Sequence, residues 1–116
     1  MNIYHVWCEL KPGVADMAFA AAVAGYLAPL QTAGKIESWR LTRCKLGLSP
    51  PEFGEWHIAI ETRDLAQLDQ AFLHVATRHG AVEATHFGVN SLVRDAKFAL
   101  YRDFPDPVRH TGEERF

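Results

Sequence analysis

Four segments of the chain have the residue types and the alternation that are typical of β-strands. They are rich in β-branched and aromatic residues, and each has glycine or proline at or close to one end. Because successive side chains of a strand point to opposite faces, each segment presents two faces of different character. The four predicted strands are Ile3–Leu10, Lys35–Leu46, Glu55–Thr62 and Ala96–Phe104.

Three segments instead show apolar residues at the three- and four-residue spacing of an amphipathic helix. The first, Val14–Thr32, contains Pro29, which predicts a kink or an early end. The second begins at Asp64, which forms a capping box with Gln67, and it ends at Gly80. A shorter stripe follows at Val82, His86, Val89 and Val93.

The order of the longer elements is strand, helix, strand, strand, helix, strand. This is the order of the ferredoxin-like βαββαβ fold, an α+β architecture in which both helices cover one face of a four-stranded antiparallel sheet. With 116 residues, the chain has room for one such domain. We predict a single ferredoxin-like domain over residues 1–106 and a polar C-terminal tail over residues 107–116.

The composition of the strand faces predicts which face the helices cover. The face with few polar atoms, here the helix-covered face, holds Val6, Cys8, Trp56, Ile58, Ile60, Phe98 and Leu100. The opposite face, here the open face, holds His5, Trp7, His57, Ala59, Glu61, Ala99 and Tyr101. The second strand is ambiguous, with Trp39 and Leu41 opposing Arg40 and Thr42. Because aromatic residues on an uncovered face usually mark an interface, we expect a homodimer formed through the open face.

Charge and composition argue against several classes of partner. Lys and Arg number 12 against 14 Asp and Glu, so the chain lacks the cationic excess that binds nucleic acids or anionic membranes. No apolar run reaches the ~18–20 residues of a membrane span, and the first residues do not resemble a signal peptide. We therefore expect a cytoplasmic protein. Cys8 and Cys44 are expected to be reduced, since their separation fits neither a CxxC pair nor a metal site.

Three stretches of the chain resemble the dimeric α/β-barrel superfamily. They are NIYHVWCELKPG (2–13), RLTRCKLGLSPPEFGEWHIAIE (40–61) and VNSLVRDAKFALYRDFPD (89–106), and they are similar to a small bacterial family of unknown function within it. The resemblance implies two ferredoxin-like protomers that pack their sheets together around a cavity. Some members use this cavity for monooxygenase, haem-binding, cyclase or isomerase chemistry and others have no known reaction, so the fold does not choose a function.

His5 and His57 are the strongest candidates for chemistry on the open face. Histidine transfers protons near neutral pH, and Tyr101 or Glu61 would orient or assist the imidazoles. Some cyclases of the superfamily carry one histidine on the first strand and another on the third, a placement that His5 and His57 resemble. The alternative interpretation is a pair of interface histidines that are hydrogen-bonded across the dimer.

Large side chains near these histidines predict a binding site for a small molecule. Trp7, Trp39 and Tyr101 would form the walls of an apolar pocket for an aromatic or lipid-like ligand, or would simply pack in an interface. A basic side chain of the second strand would bind a carboxylate at the mouth of the cavity, or would keep an edge strand solvated. The candidates are Arg40, Arg43 and Lys45.

Sequence motifs give no reason to expect a metal or a cofactor. Glu83 and His86 have the spacing of two metal ligands on one helix face, with Asn90 beyond them, but a di-iron site needs two such copies. His74 and His79 are five residues apart and do not share a helix face. The sequence lacks phosphate loops, dinucleotide fingerprints and serine-hydrolase elbows. Three functions remain open: small-molecule binding, cofactor-independent catalysis of a monooxygenase, cyclase or isomerase type, and a purely structural dimer.

Overall fold

Four antiparallel strands form one sheet in the computed structural model, which describes residues 1–76 and 80–106. In chain order the elements are β1 (Asn2–Leu10), α1 (Asp16–Thr32), β2 (Ser38–Arg43), β3 (Trp56–Thr62), α2 (Leu65–Ala76), α3 (Gly80–Asn90) and β4 (Val93–Arg102). The strands lie in the order β2-β3-β1-β4. This topology confirms the ferredoxin-like α+β fold.

Every predicted strand and helix is present, and the differences lie at the boundaries. The third helical stripe ends at Asn90, and Val93 is the first residue of β4. Gly80, expected to close the second helix, instead opens α3 with a φ of 60°. His79 and the tail predicted over residues 107–116 lie outside the described residues.

The first helix passes through its proline. α1 continues from Pro29 to Thr32, so the expected early end does not occur. A proline ring crowds the carbonyl four residues earlier, and here that carbonyl belongs to Gly25, which has no side chain to restrict its adjustment.

The core lies between α1 and the helix-covered face of the sheet. Phe19 meets the edge of Trp56 at 5.3 Å between ring centroids, and Cys8 and Ile58 belong to the same buried cluster. Burying a large apolar side chain stabilises the fold by ~1.5–3 kcal/mol, so this layer holds α1 on the sheet. The side chains that α1 buries are Phe19, Val23, Leu27 and Leu30.

The helices do not cover their face of the sheet evenly. Phe98 and Leu100 of β4 lie on the helix-covered face, since they pair with Val6 and Tyr4 of β1. Even so, 61% and 52% of their surfaces are exposed. The helices contact β2 and β3, whereas β4 is the edge strand on the far side of the sheet. An apolar strip along β4 is therefore left beside the helices.

The start of α2 is the capping box that the sequence predicts. The Gln67 backbone N–H donates to Oδ1 of Asp64 at 2.8 Å. The Gln67 side-chain Oε1 accepts from the backbone N–H of Arg63 at 2.6 Å. The first bond satisfies an N–H group that the helix itself leaves unpaired, and the second ties the residue before Asp64 to the first turn.

No helix in the described part of the chain is long and apolar enough to cross a membrane.

Both cysteines are free thiols, as expected. Cys8 is buried on the helix-covered face. Burial, with a smaller contribution from the adjacent Glu9, raises the pKa of this thiol to about 11. Cys44 follows β2 and is half-buried.

Gly54 lies where the loop over residues 44–55 meets the backbone of β1. A Cβ atom at this position would overlap the carbonyl group of Cys8, so any side chain forces the loop or the strand to move. We expect Gly54→Ala to destabilise the fold by roughly 1–3 kcal/mol and to lower Tm in a thermal melt. Gly88→Ala is the matched control, because a Cβ at this α3 position meets no atom within 4 Å and alanine favours a helix. Equal Tm values for the two variants would contradict this packing.

Candidate functional site

His5 on β1 and His57 on β3 lie side by side on the open face. Their strands are neighbours in the centre of the sheet, and the register places His5 opposite Ala59 and His57 opposite Trp7. The imidazoles form a hydrogen bond of 2.8 Å between Nδ1 of His5 and Nε2 of His57. The structure thus brings together the two histidines that the alternation pattern placed on one face.

Aromatic rings extend the histidine pair into a continuous aromatic surface. Trp7 stacks on His57 at 4.9 Å between ring centroids, and Phe53 stacks on Trp7 at 4.5 Å. The rings of His5 and His57 are nearly parallel, with 13° between their planes. Tyr101 meets the His5 ring edge-on, with 5.2 Å between the ring centroids. We call these five residues the aromatic stack.

Phe53 is a member of this stack that the strand pattern did not indicate. It belongs to the loop over residues 44–55, which is held against the end of β1. The backbone N–H of Glu55 donates to Oε1 of Glu9 at 2.9 Å, and the Lys97 ammonium donates to the Glu52 carbonyl at 2.5 Å. Its one signal in the sequence is that it is the sole aromatic residue of a turn-rich connection.

One pair of tautomers satisfies all the hydrogen bonds around the histidines. Thr42 Oγ1 lies 3.3 Å from Nδ1 of His57 and 3.4 Å from the His57 carbonyl oxygen. Because a carbonyl only accepts, the Thr42 hydroxyl donates to it and accepts from Nδ1–H of His57. His57 Nε2 then has no proton and accepts from Nδ1–H of His5. In this pair of tautomers Nε2 of His5 is unprotonated and has no hydrogen-bond partner among the described residues.

Both histidines are held in their neutral form near physiological pH. Burial lowers the pKa of His5. Burial, followed by repulsion from His5, lowers the pKa of His57. A neutral imidazole with an unprotonated nitrogen accepts a proton from a bound molecule, so the pair has the protonation state that a general base needs.

The lowered pKa values imply a loss of stability in mild acid. In the unfolded chain both histidines have the ordinary pKa of 6.5. Below this pH the unfolded chain binds protons more readily than the folded chain does, so acid favours unfolding. The stabilising contribution is complete above pH 6.5 and is lost as the pH falls toward the folded-state pKa values. We expect a lower Tm at about pH 5.5 than at about pH 7.5, and a smaller difference in the His5→Gln/His57→Gln double variant. An unchanged pH dependence in that variant would show that other groups cause the effect.

Three further residues proposed from the sequence border the histidine pair on the open face. Tyr101, on β4, is 62% exposed and contacts the His5 ring. Glu61 lies nearer the end of β3, where its carboxylate accepts a 3.1 Å hydrogen bond from the Ser38 hydroxyl. Arg40 lies on β2 and is exposed. All four strands therefore contribute side chains to this surface.

The structure places Trp39 on the helix-covered face, which corrects the expectation that it shares a pocket wall with Trp7. The register pairs Trp39 with Ile60, and the indole packs against the buried core there. The sequence left the orientation of the second strand ambiguous because, over its predicted range of Lys35–Leu46, both faces mix polar and apolar residues. Burial of the apolar face against α1 settles the orientation.

No group of three or more histidine, cysteine, aspartate or glutamate side chains within residues 1–76 and 80–106 could hold a metal ion. Glu83, His86 and Asn90 do share one face of α3. They line a cavity on the helix-covered face, away from the aromatic stack.

Solved structures from plants and bacteria share this fold. The Arabidopsis thaliana protein At3g17210 matches with a TM-score of 0.70 at 11% identity, covering 91% of this chain and 98% of that chain. A dimeric ferredoxin-like protein of unknown function from Jannaschia sp. CCS1 has a TM-score of 0.66 at 16% identity, covering 89% and 100%. The hydroxynitrile lyase of Passiflora edulis has a TM-score of 0.66 at 13% identity, covering 91% and 96%. At these identities the likeness shows the fold alone.

The class of this protein is therefore ferredoxin-like α+β, and several of its structural neighbours are dimeric proteins of unknown function. The chain belongs to DUF6614, a family of unknown function whose model matches residues 1–116. No match is found among curated proteins. These findings confirm the resemblance to a family of unknown function with this fold.

Proposed function

We propose that two copies of this chain pack their open faces together and enclose a small-molecule site between the sheets. The proposal rests on the aromatic stack, which the rest of the described chain leaves partly uncovered. Within the stack, Phe53 and Tyr101 are 38% and 62% exposed. A contiguous aromatic surface of this kind usually marks an interface or a ligand site. A second copy related by a twofold axis would cover it with the same set of residues. Dimeric ferredoxin-like neighbours support this assembly.

The ligand that best fits this surface is a planar aromatic molecule with a hydroxyl group. Trp7 and Phe53 form an apolar aromatic surface against which another aromatic ring can pack. Nε2 of His5 supplies a hydrogen-bond acceptor beside those rings, and it accepts from a ligand hydroxyl. An apolar wall with one well-placed polar group is the usual composition of a small-molecule site.

Calorimetric titration with 2-naphthol and with its saturated analogue, decahydro-2-naphthol, tests this ligand class. The two probes have the same skeleton and hydroxyl group, but only 2-naphthol is flat and aromatic. We expect 2-naphthol to bind with a Kd of roughly 0.1 mM and the saturated analogue to bind about tenfold more weakly. Equal affinities, or no binding of 2-naphthol, would contradict the proposal.

Two tryptophan variants provide the matched comparison for this titration. Trp7→Leu removes a ring of the aromatic stack and should abolish the preference for 2-naphthol. Trp39→Leu removes an indole from the helix-covered face and should keep that preference. Loss of the preference in both variants would indicate a general effect on the fold and would count against the aromatic stack as the site.

The second candidate function is cofactor-independent acid–base catalysis, and the hydrogen-bonded histidine pair favours it. In this proposal His5 is the general base, because its Nε2 is unprotonated and its ring lies beside Trp7 in the aromatic stack. His57 and Thr42 are positioning residues that orient His5 and stabilise the charge it acquires. The hydroxynitrile lyase of Passiflora edulis is an enzyme with this fold, which supports catalysis as a use of the scaffold.

A further inference from the structure

A second cavity lies on the helix-covered face, on the other side of the sheet from the aromatic stack. Its volume is about 480 Å³, which lies in the range of small-molecule sites. Side chains of β1, β3 and β4 form one side, and side chains of all three helices form the other. Three phenylalanines that line it are strongly exposed and mark its entrance beside β4. They are Phe72, Phe87 and Phe98, at 47%, 64% and 61%.

Polar groups from three elements converge in this otherwise apolar cavity. Glu83, His86 and Asn90 share one face of α3 because they are three and four residues apart. The ring of Tyr26 on α1 lies 5.3 Å from the His86 ring, measured between centroids. Tyr4 of β1 supplies a second phenol. Burial, with a smaller contribution from Tyr4, raises the pKa of Tyr26 to about 12, so this phenol keeps its proton.

The charge of the cavity points to the kind of ligand it takes. Among the described residues that line it, Glu83 alone carries a formal charge, and none is lysine or arginine. The Glu83 carboxylate has no ion pair or hydrogen bond within the described part of the chain. Glu83 is half-buried at the side of this apolar cavity. Its unpaired carboxylate is complemented by a cationic group, which forms a charge-assisted hydrogen bond with it.

We propose that this cavity binds a small molecule with an apolar body and a primary amine. The ammonium group pairs with Glu83, and the amide oxygen of Asn90 and the phenol oxygen of Tyr26 accept its remaining N–H donors. The apolar body lies against the aliphatic side chains of β1 and β3. Because Tyr4 faces this cavity and the adjacent His5 faces the open face, the sheet separates this site from the aromatic stack.

Titration of the natural chain with octylamine, octanol and octanoate, followed by NMR, tests the proposal. Octylamine should shift the His86 ring resonances saturably and bind about tenfold more tightly than octanol, because it adds a charge-assisted hydrogen bond. Octanoate should bind most weakly, since its carboxylate is repelled by Glu83. The Trp7 indole resonance should not move, which distinguishes this site from the one between the sheets. Octanoate binding as tightly as octylamine, or shifts confined to Trp7, would overturn the proposal.

Three variants locate the binding on the cavity itself. Glu83→Gln should remove the tenfold preference for octylamine and leave the octanol affinity unchanged. Glu52→Gln removes the same charge from an exposed loop position outside the cavity and should keep the preference. Ala96→Leu adds volume at a lining position and should weaken the binding of both probes. An octylamine preference that survives in Glu83→Gln, or full octylamine affinity in Ala96→Leu, would show that the cavity is not the site.

Discussion

We expect Ala59→Glu to convert the proposed dimer into monomers. Ala59 lies in the centre of the open face, opposite His5 on β1 and Arg40 on β2. In a face-to-face dimer the twofold axis brings two such carboxylates into the interface, where each must lose its hydration. This costs about 3 kcal/mol or more, which weakens association over a hundredfold. An ion pair between the new carboxylate and Arg40 would form in the monomer as well as in the dimer. It therefore does not offset the cost of burying the carboxylate in the interface.

Two control variants separate the effect of charge from other effects, with the mass in solution measured by light scattering after size-exclusion chromatography. Ala59→Gln has nearly the size of the glutamate variant without its charge and should weaken the dimer less. Ala21→Glu adds the same charge to an exposed position of α1 and should leave the dimer intact. A dimer that survives Ala59→Glu, or that Ala21→Glu disrupts equally, would exclude the open face as the interface.

His5→Gln is expected to abolish proton abstraction from an aromatic ketone. The probe is 2-tetralone, a bicyclic aromatic ketone that exchanges its α-protons in D2O when a base removes them. The natural chain should accelerate this exchange, because the ring packs against the aromatic stack while Nε2 of His5 takes the proton. A positioned general base contributes about 10²–10⁴-fold, and the variant should lose most of this factor. Exchange no faster with the natural chain than with His5→Gln would exclude His5 as a general base.

Thr42→Val separates positioning from catalysis in the same assay. The variant keeps both histidines but removes the hydroxyl that accepts from Nδ1–H of His57. We expect a partial loss of exchange, together with a change of the His57 tautomer in ¹⁵N NMR spectra. Ser38→Ala, a hydroxyl deletion elsewhere on β2, should change neither quantity. An unaltered His57 tautomer in Thr42→Val would contradict the assigned direction of the hydrogen bonds.

The sequence predicted the face of each histidine but not their contact. Alternation in β1 and β3 is clear because one face of each strand is apolar, and this places His5 and His57 together on the other face. Their hydrogen bond also depends on the register. Sliding β3 by two residues would keep His57 on the open face but would place His57 or Glu61, in place of Ala59, opposite His5. A register of that kind is set by packing and loop geometry, which periodicity does not contain.

Trp39 and Phe53 show two other limits of the sequence pattern. β2 is an edge strand with mixed faces, so its orientation depends on tertiary packing and not on its own residues. Phe53 reaches the open face because a loop folds back onto β1 and Lys97 holds it there. A loop path determined by such distant contacts has no periodic signal in the sequence.

The uneven helix layer was also beyond the sequence pattern. Phe98 and Leu100 were correctly placed on the helix-covered face, but their exposure depends on where the helices lie across the sheet. Helix position is set by the packing of α1 and α3, and hydrophobic periodicity gives only the direction that a side chain faces. The cavity beside β4 follows from this placement.

Isotope-filtered NOE spectra of dimers assembled from labelled and unlabelled chains test whether the open faces form the interface. These spectra report only contacts between protomers. If the open faces pack together, the rings of Trp7 and Tyr101 will show intermolecular NOEs to the open-face side chains of the partner subunit. Two results would contradict this interface. One is a set of intermolecular NOEs confined to Phe98, Leu100 and the helices, and the other is a chain that remains a 13.0 kDa monomer at micromolar concentration.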